Sequence, residues 1–312
     1  MYNMDKLYEA VTERGHVCVG LDTAVDYIPQ AERRKAASGA EAVWAFNQTL
    51  IDAVIDIAAC FKVQIACYEE LGLAGLEAYA KTLKHIRRRG GMVIADIKRG
   101  DIADTALRYA RAHFDGDFEA DFVTLSPYMG MDSIEPWLAF AESRGKGAFV
   151  LMRTSNRGMR DFQYQELRTE NPPEQIRRLY DAVGDKLEEL AVRCRGKYGY
   201  GAFGAVIGAD PKSDAGREEI TAIREKRRSL FFLIPGYGAQ GGAAEDAALL
   251  LREGNGGVVN ASRSILKAWT AGMNALARPE AEADNAFAAE AARRAVLDMR
   301  GAIRMAAEKR HS

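Results

Sequence analysis

Cysteine is scarce in this chain. Only Cys18, Cys60, Cys67 and Cys194 occur among 312 residues, and no two of them form a C-x-x-C spacing. That argues against a disulfide framework, and a redox or zinc site is the weaker alternative. Three of the four sit in or beside apolar segments and read as reduced core thiols of a cytosolic protein. An excess of one charge is also missing. The formal net charge is −1, so Arg87-Arg88-Arg89 and Arg227-Arg228 read as solvated helix ends. Neither nucleic acid nor an anionic membrane is expected as a partner. No apolar run approaches the roughly 20 residues of a membrane-spanning helix. Residues 1–15 mix Asp, Lys, Glu and Arg and read as neither a signal peptide nor a transit sequence. No internal repeat stands out, and low complexity is confined to an Ala-rich tail. The expected location is cytoplasmic. What remains is 48% hydrophobic and 28% charged, the composition of a soluble enzyme with one large α/β domain or two smaller ones.

Eight short apolar runs recur along the chain, at 17–22, 60–67, 92–98, 122–126, 148–154, 205–209, 230–235 and 257–261. They are rich in Val, Ile and Phe and close on Gly or polar residues, as strands buried on both faces of a parallel sheet do. Helical spacing lies between them. Leu76, Tyr79, Leu83 and Ile86 form one stripe, which Gly90-Gly91 can end. Ile102, Ala106, Tyr109, Ala110 and His113 form another. Residues 279–309 carry Phe287, Val296, Met299 and Ile303 at the spacing of a final helix. Strand then helix, eight times over, predicts a single-domain α/β fold, a (β/α)8 TIM barrel spanning 1–312. A doubly wound open sheet is the alternative. The passage after the fifth strand, about 157–203, contains Asn171-Pro172-Pro173 and a helical stretch near 176–195, and reads as an enlarged connection.

Barrel chemistry sits at the carboxyl ends of the strands. The third run closes on Asp96-Ile97-Lys98-Arg99-Gly100-Asp101. On a regular strand, residues two apart share a face, so Asp96 and Lys98 would project side by side with Asp101 in the following turn. Asp22 ends the first run and Lys62 lies in the second. Four charges of alternating sign, Lys62, Asp96, Lys98 and Asp101, form either an ion-pair ladder along a barrel rim or a catalytic array. Flanking carboxylates would keep Lys98 an ammonium, a cationic acid and not the amine nucleophile of a Schiff-base aldolase. Gly236, Gly238 and Gln240 follow the seventh run, and Arg263 follows the eighth. Loops there commonly hold phosphate through backbone N–H groups, and Arg263 adds a forked donor. The plainer alternative is a flexible turn and a surface charge.

Taken in order, Gly20-Leu21-Asp22, Phe61-Lys62-Val63, Asp96-x-Lys98-x-x-Asp101-Ile102 with Thr105, Thr154-Ser155-Asn156, Pro235-Gly236-Tyr237-Gly238-Ala239-Gln240-Gly241 and Arg263 resemble the orotidine 5′-monophosphate decarboxylase family over most of the barrel. Pro127-Tyr128-Met129-Gly130 and the long passage after strand five resemble its longer-chain bacterial branch. The resemblance implies decarboxylation of orotidylate to uridylate, the last step of pyrimidine nucleotide synthesis, without metal or cofactor. Lys98 would stabilise and then protonate the C6 carbanion. Asp96 would lie near the substrate carboxylate, Asp22 and Lys62 would hold the ribose, and Ser155 would meet the pyrimidine amide edge. Gln240 and Arg263 would grip the phosphate, with the loop at Gly236 and Gly238 closing over it. Asp101 and Thr105 would cross into the partner's site of a homodimer. The chain departs from the family pattern at Arg157, where Pro often follows Ser-Asn, and at Ser262, where Gly is common in shorter members.

The nearest rivals by resemblance, 3-keto-L-gulonate 6-phosphate decarboxylase and hexulose phosphate synthase, use Mg2+ and place an acidic ligand on strand two. Lys62 stands there in this chain and would repel the metal. A catalytically silent nucleotide-phosphate binder is the rival of another class, and opposed carboxylates are superfluous for binding alone.

Overall fold

Each of the eight apolar runs forms a strand in the computed structural model, which describes residues 1–168, 176–209, 213–238 and 243–311. The strands are β1 (Val17–Gly20), β2 (Cys60–Gln64), β3 (Val93–Arg99), β4 (Phe122–Leu125) and β5 (Gly147–Arg153). A short hairpin follows, β6 (Glu166–Arg168) and β7 (Ile176–Arg178). The barrel resumes with β8 (Phe203–Ile207), β9 (Phe232–Ile234) and β10 (Gly257–Ala261). Pairing runs β1-β10-β9-β8-β5-β4-β3-β2 and closes, and the barrel pairs are parallel. The closed barrel is therefore the fold, and the open sheet is excluded.

Burial on both faces explains the apolar runs. Cys18, Cys60, Ile94, Phe122, Phe149, Val206, Leu233 and Val258 pack together in the barrel interior. Their neighbours Val17, Val19, Phe61, Val63, Val93, Ala95, Val123 and Val259 join the second layer, against the surrounding helices. Two residues further along the strands, the same inward face carries Gly20, Lys62, Asp96, Thr124 and Asn260. The floor is thus dry and apolar, and polarity begins one step above it. All four cysteines are free, and three are buried.

The helices keep the expected register with two shifts. The helix after β3 spans Ala103–Phe114. Ile102 precedes it in extended backbone and is exposed, so it does not share the buried stripe of Ala106, Ala110 and His113. The final helix spans Asn285–His311, later than expected. Pro279 opens a separate turn at Glu280–Glu282, and Asp284 Oδ1 accepts the Phe287 N–H at 2.8 Å to start the helix proper. Val296, Met299 and Ile303 are buried as the spacing predicts. The passage after β5 contains the β6–β7 hairpin and the helix Leu179–Arg193. Asn171-Pro172-Pro173 lies outside the described residues. No helix among the described residues is long and apolar enough to cross a membrane.

Candidate active site

At the carboxyl ends of the strands, a cleft of about 460 Å3 opens among Asp22, Lys62, Asp96, Lys98, Gly236, Asn260, Ser262 and Arg263. At its base, Lys62 Nζ donates to Asp22 Oδ1 at 2.9 Å and to Asp96 Oδ2 at 2.8 Å. Lys98 Nζ donates to Asp96 Oδ1 at 2.6 Å. The side chains of Lys62 and Asp96 are only 5% and 6% exposed, whereas Lys98 is 46% exposed and faces the cleft. The array is therefore graded, with a fixed buried pair below and an accessible ammonium above.

Burial alone would push the Lys62 ammonium down. The carboxylates of Asp96 and Asp22 outweigh it and hold its pKa well above the ordinary lysine range. Burial would likewise raise Asp96, but Lys62 and Lys98 hold its carboxyl well below the usual carboxylate range. Both groups stay charged across the physiological range.

Asp96 and Lys98 meet, but not through a regular pleat. Residues 95 to 99 of β3 span the same stretch as residues 123 to 125 of β4, so the ladder shifts register between them. Lys98 takes φ +46° within that bulge, a conformation unusual for a residue with a Cβ. The bulge aims the Lys98 side chain back onto Asp96.

Several partners escape the sequence reading. Thr124 Oγ1 donates to Asp96 Oδ1 at 2.8 Å, and Gln64 Nε2 donates to Oδ2 at 3.0 Å. With the two lysines, these give Asp96 four donors, the full acceptor capacity of a carboxylate. Ser262 Oγ donates to Asp22 Oδ2 at 3.0 Å. Period-two spacing was the available signal, since Gln64 lies two residues past Lys62 and Thr124 two past the inward Phe122. Gly20 makes room for this corner, because an added Cβ would run into Ser262 Oγ. Asn260 is buried, and its Oδ1 has no partner among the described residues.

The phosphate-binding candidates flank the other side. Gly236 and Gly238 take φ of +100° and +74°, which favours glycine at both. Gly236 and Arg263 line the cleft, while Gly238 is exposed beyond it. Gln240 lies outside the described residues. Three other candidates do not join the charged cluster within this chain. Asp101 Oδ1 accepts the adjacent Ile102 N–H at 2.8 Å. Thr105 is exposed on the first turn of the helix Ala103–Phe114. Ser155 lines a neighbouring cavity of about 550 Å3 with Arg153, Tyr164, Arg178 and Glu219.

Known proteins share this arrangement of chain and barrel. The model of the orotidine 5′-phosphate decarboxylase / HUMPS family matches residues 15–275. An orotidine 5′-phosphate decarboxylase of Clostridium perfringens is 50% identical over 302 residues, which cover 97% of this chain and 98% of the relative. Another, of Clostridium kluyveri, is 51% identical over 266 residues, 85% of this chain and 88% of the relative. Among solved structures, a putative orotidine-monophosphate decarboxylase of Toxoplasma gondii superimposes with a TM-score of 0.75 at 28% identity, covering 96% of this chain and 97% of that one. On these matches the chain belongs to the orotidine 5′-phosphate decarboxylase / HUMPS family.

Proposed function

We propose that this protein decarboxylates orotidine 5′-monophosphate to uridine 5′-monophosphate, the closing step of pyrimidine nucleotide synthesis, in the cytoplasm. The free cysteines fit a reducing compartment. Full-length relatives at half identity carry the activity, and the observation that supports the chemistry is the Lys62–Asp96–Lys98 array. Loss of CO2 leaves an electron pair in the plane of the ring at C6, where no carbonyl delocalises it. The Lys98 ammonium meets that charge and delivers its proton to C6. The buried pair beneath holds the ammonium in place, so little reorganisation is needed when charge develops.

The remaining roles follow the cleft. Asp22 and Lys62 take the ribose hydroxyls. Arg263 and the backbone at Gly236 and Gly238 take the phosphate, joined by Gln240, and Ser155 takes the pyrimidine amide edge. Phosphate binding far from C6 then contributes to the rate at C6. Asp101 and Thr105, unengaged with the cluster in one chain, reach the site of a second copy, so the working unit is a homodimer with shared sites. The whole of 1–312 forms one barrel domain with an enlarged connection after β5.

Metal assistance, as in the Mg2+-using relatives, is disfavoured because Lys62 and Lys98 already occupy both oxygens of Asp96. Incubation with orotidylate, followed by its ultraviolet absorbance, tests the reading. Wild-type protein turns the substrate over at a rate unchanged by EDTA. Lys98→Ala folds but loses at least about 10³-fold in rate. Tight binding without turnover by the wild type overturns the decarboxylase reading, and loss of activity in EDTA overturns the metal-free one.

A further inference from the structure

The β3–β4 ladder breaks at the point where the reaction needs it most rigid. Between Ala95↔Val123 and Arg99↔Leu125 the backbone pairing is interrupted, and the bulge leaves two amides without a ladder partner. Thr124 supplies one. Its Oγ1 accepts the N–H of Ile97 at 3.0 Å and the N–H of Lys98 at 3.0 Å, and its hydroxyl proton goes to Asp96 Oδ1 at 2.8 Å. A hydroxyl offers one proton and two lone pairs, so all three capacities of Thr124 are used, and all on the segment that bears Asp96 and Lys98. The residue is 1% exposed, which leaves water little access to replace it.

We infer that Thr124 is a positioning residue for the decarboxylation, clamping the left-handed turn at Lys98 and one oxygen of Asp96 with a single hydroxyl so that the Lys98 ammonium is aimed before substrate arrives. The inference rests on the decarboxylase reading. It follows from geometry that a methyl in place of the hydroxyl orphans one buried and one partly buried N–H donor and vacates one acceptor position on Asp96. Each loss favours relaxation of the bulge. Relaxation swings Lys98 away from Asp96 while leaving the phosphate side of the cleft untouched. The damage therefore falls on kcat and spares KM, because displacement of a reacting group by about 1 Å costs on the order of 10²-fold.

Two substitutions and one exchange measurement test this. Thr124→Val keeps shape and removes the hydroxyl, and it should lower kcat by about 10²-fold with KM within about threefold of wild type. Thr124→Ser keeps the hydroxyl and should return kcat to within about threefold of wild type. A purely structural role predicts that both variants lose thermal stability while kcat per folded molecule stays at the wild-type value, and that result overturns the inference. Failure of the serine variant to rescue does so too. Hydrogen exchange in the wild-type protein serves if the valine variant does not fold. The Ile97 and Lys98 amides should be protected by at least about 10³-fold despite the broken ladder. Exchange at loop rates overturns the clamp. Absence of turnover in the wild type would instead overturn the decarboxylase reading and leave the exchange result to judge Thr124 separately.

Discussion

Lys62 shows how far one side chain is committed at this site. Its ammonium bonds Asp22 and Asp96 at 2.9 and 2.8 Å while almost wholly buried. Removing one partner of such a pair leaves the other charge stranded in a poor solvent. Lys62→Met should therefore destabilise the fold by about 3 kcal/mol, at the lower end because Lys98 still serves Asp96. Urea unfolding at neutral pH measures this, and the further change Asp96→Leu should recover most of the loss by removing the stranded carboxylate. The pH dependence of the pair has a definite sign. The folded pKa of Asp96 is depressed, so its contribution is present above the ordinary carboxylate range and is lost as pH falls through its own lower value. The folded pKa of Lys62 is raised, so its contribution is complete below the ordinary lysine value and is lost as pH rises through its own higher one. Between roughly pH 4 and 10 the pair therefore contributes a flat increment.

At the scale of elements, the helix Ala103–Phe114 carries a titration of its own. His113 is buried and stacks on Phe118 with ring centroids 5.8 Å apart. Burial, reinforced by the Arg99 cation, pushes its pKa down to about 4. The folded chain thus holds it neutral where the unfolded chain protonates it, and stability falls as pH drops from about 6.5 toward 4. The loss is on the order of 3 kcal/mol at the bottom of that window. Thermal melts across it should show the slope, and His113→Phe should reduce it, leaving the share of buried His16, also pushed down by burial, and the opposing share of Asp121, whose carboxyl burial pushes up. The barrel strands and most helices were legible because two-sided burial demands continuous apolar runs and one-sided burial demands a stripe. The β6–β7 hairpin was not. Its strands, Glu-Leu-Arg and Ile-Arg-Arg, are three residues each and bury no residue fully, so no apolar run marks them. The nearby tether, Arg153 to Tyr164 at 3.0 Å and Tyr164 to Glu219 at 2.7 Å, joins residues far apart in sequence. The bulge at Lys98 was equally silent, since no glycine or proline marks it. The charges of the site could be named from the sequence, but the bend that aims them could not.

At the scale of the whole molecule, Asp101 and Thr105 make the sharpest demand. They stand apart from the cluster of their own chain, and in a homodimer with shared sites they enter the cleft of a second copy. Lys98→Ala and Asp101→Ala proteins should each be inactive. Unfolded together and refolded as an equal mixture, they should regain about a quarter of the wild-type rate, because half the dimers are mixed and each mixed dimer restores one site of two. Mixed dimers confirmed by mass and still inactive would refute shared sites.

Closure of the barrel has one more consequence. Asp22 leaves β1 and Ser262 leaves β10, yet they share a hydrogen bond across 240 positions of chain. One wall of the cleft is thus made by the earliest strand and the next by the last. During synthesis, a ribosome that has delivered β1 through β9 has made every acid and lysine of the array and still has no working mouth. The mouth of each chain is completed in one step, when the final strand inserts beside the first, and only then is there a cleft for a second copy to complete.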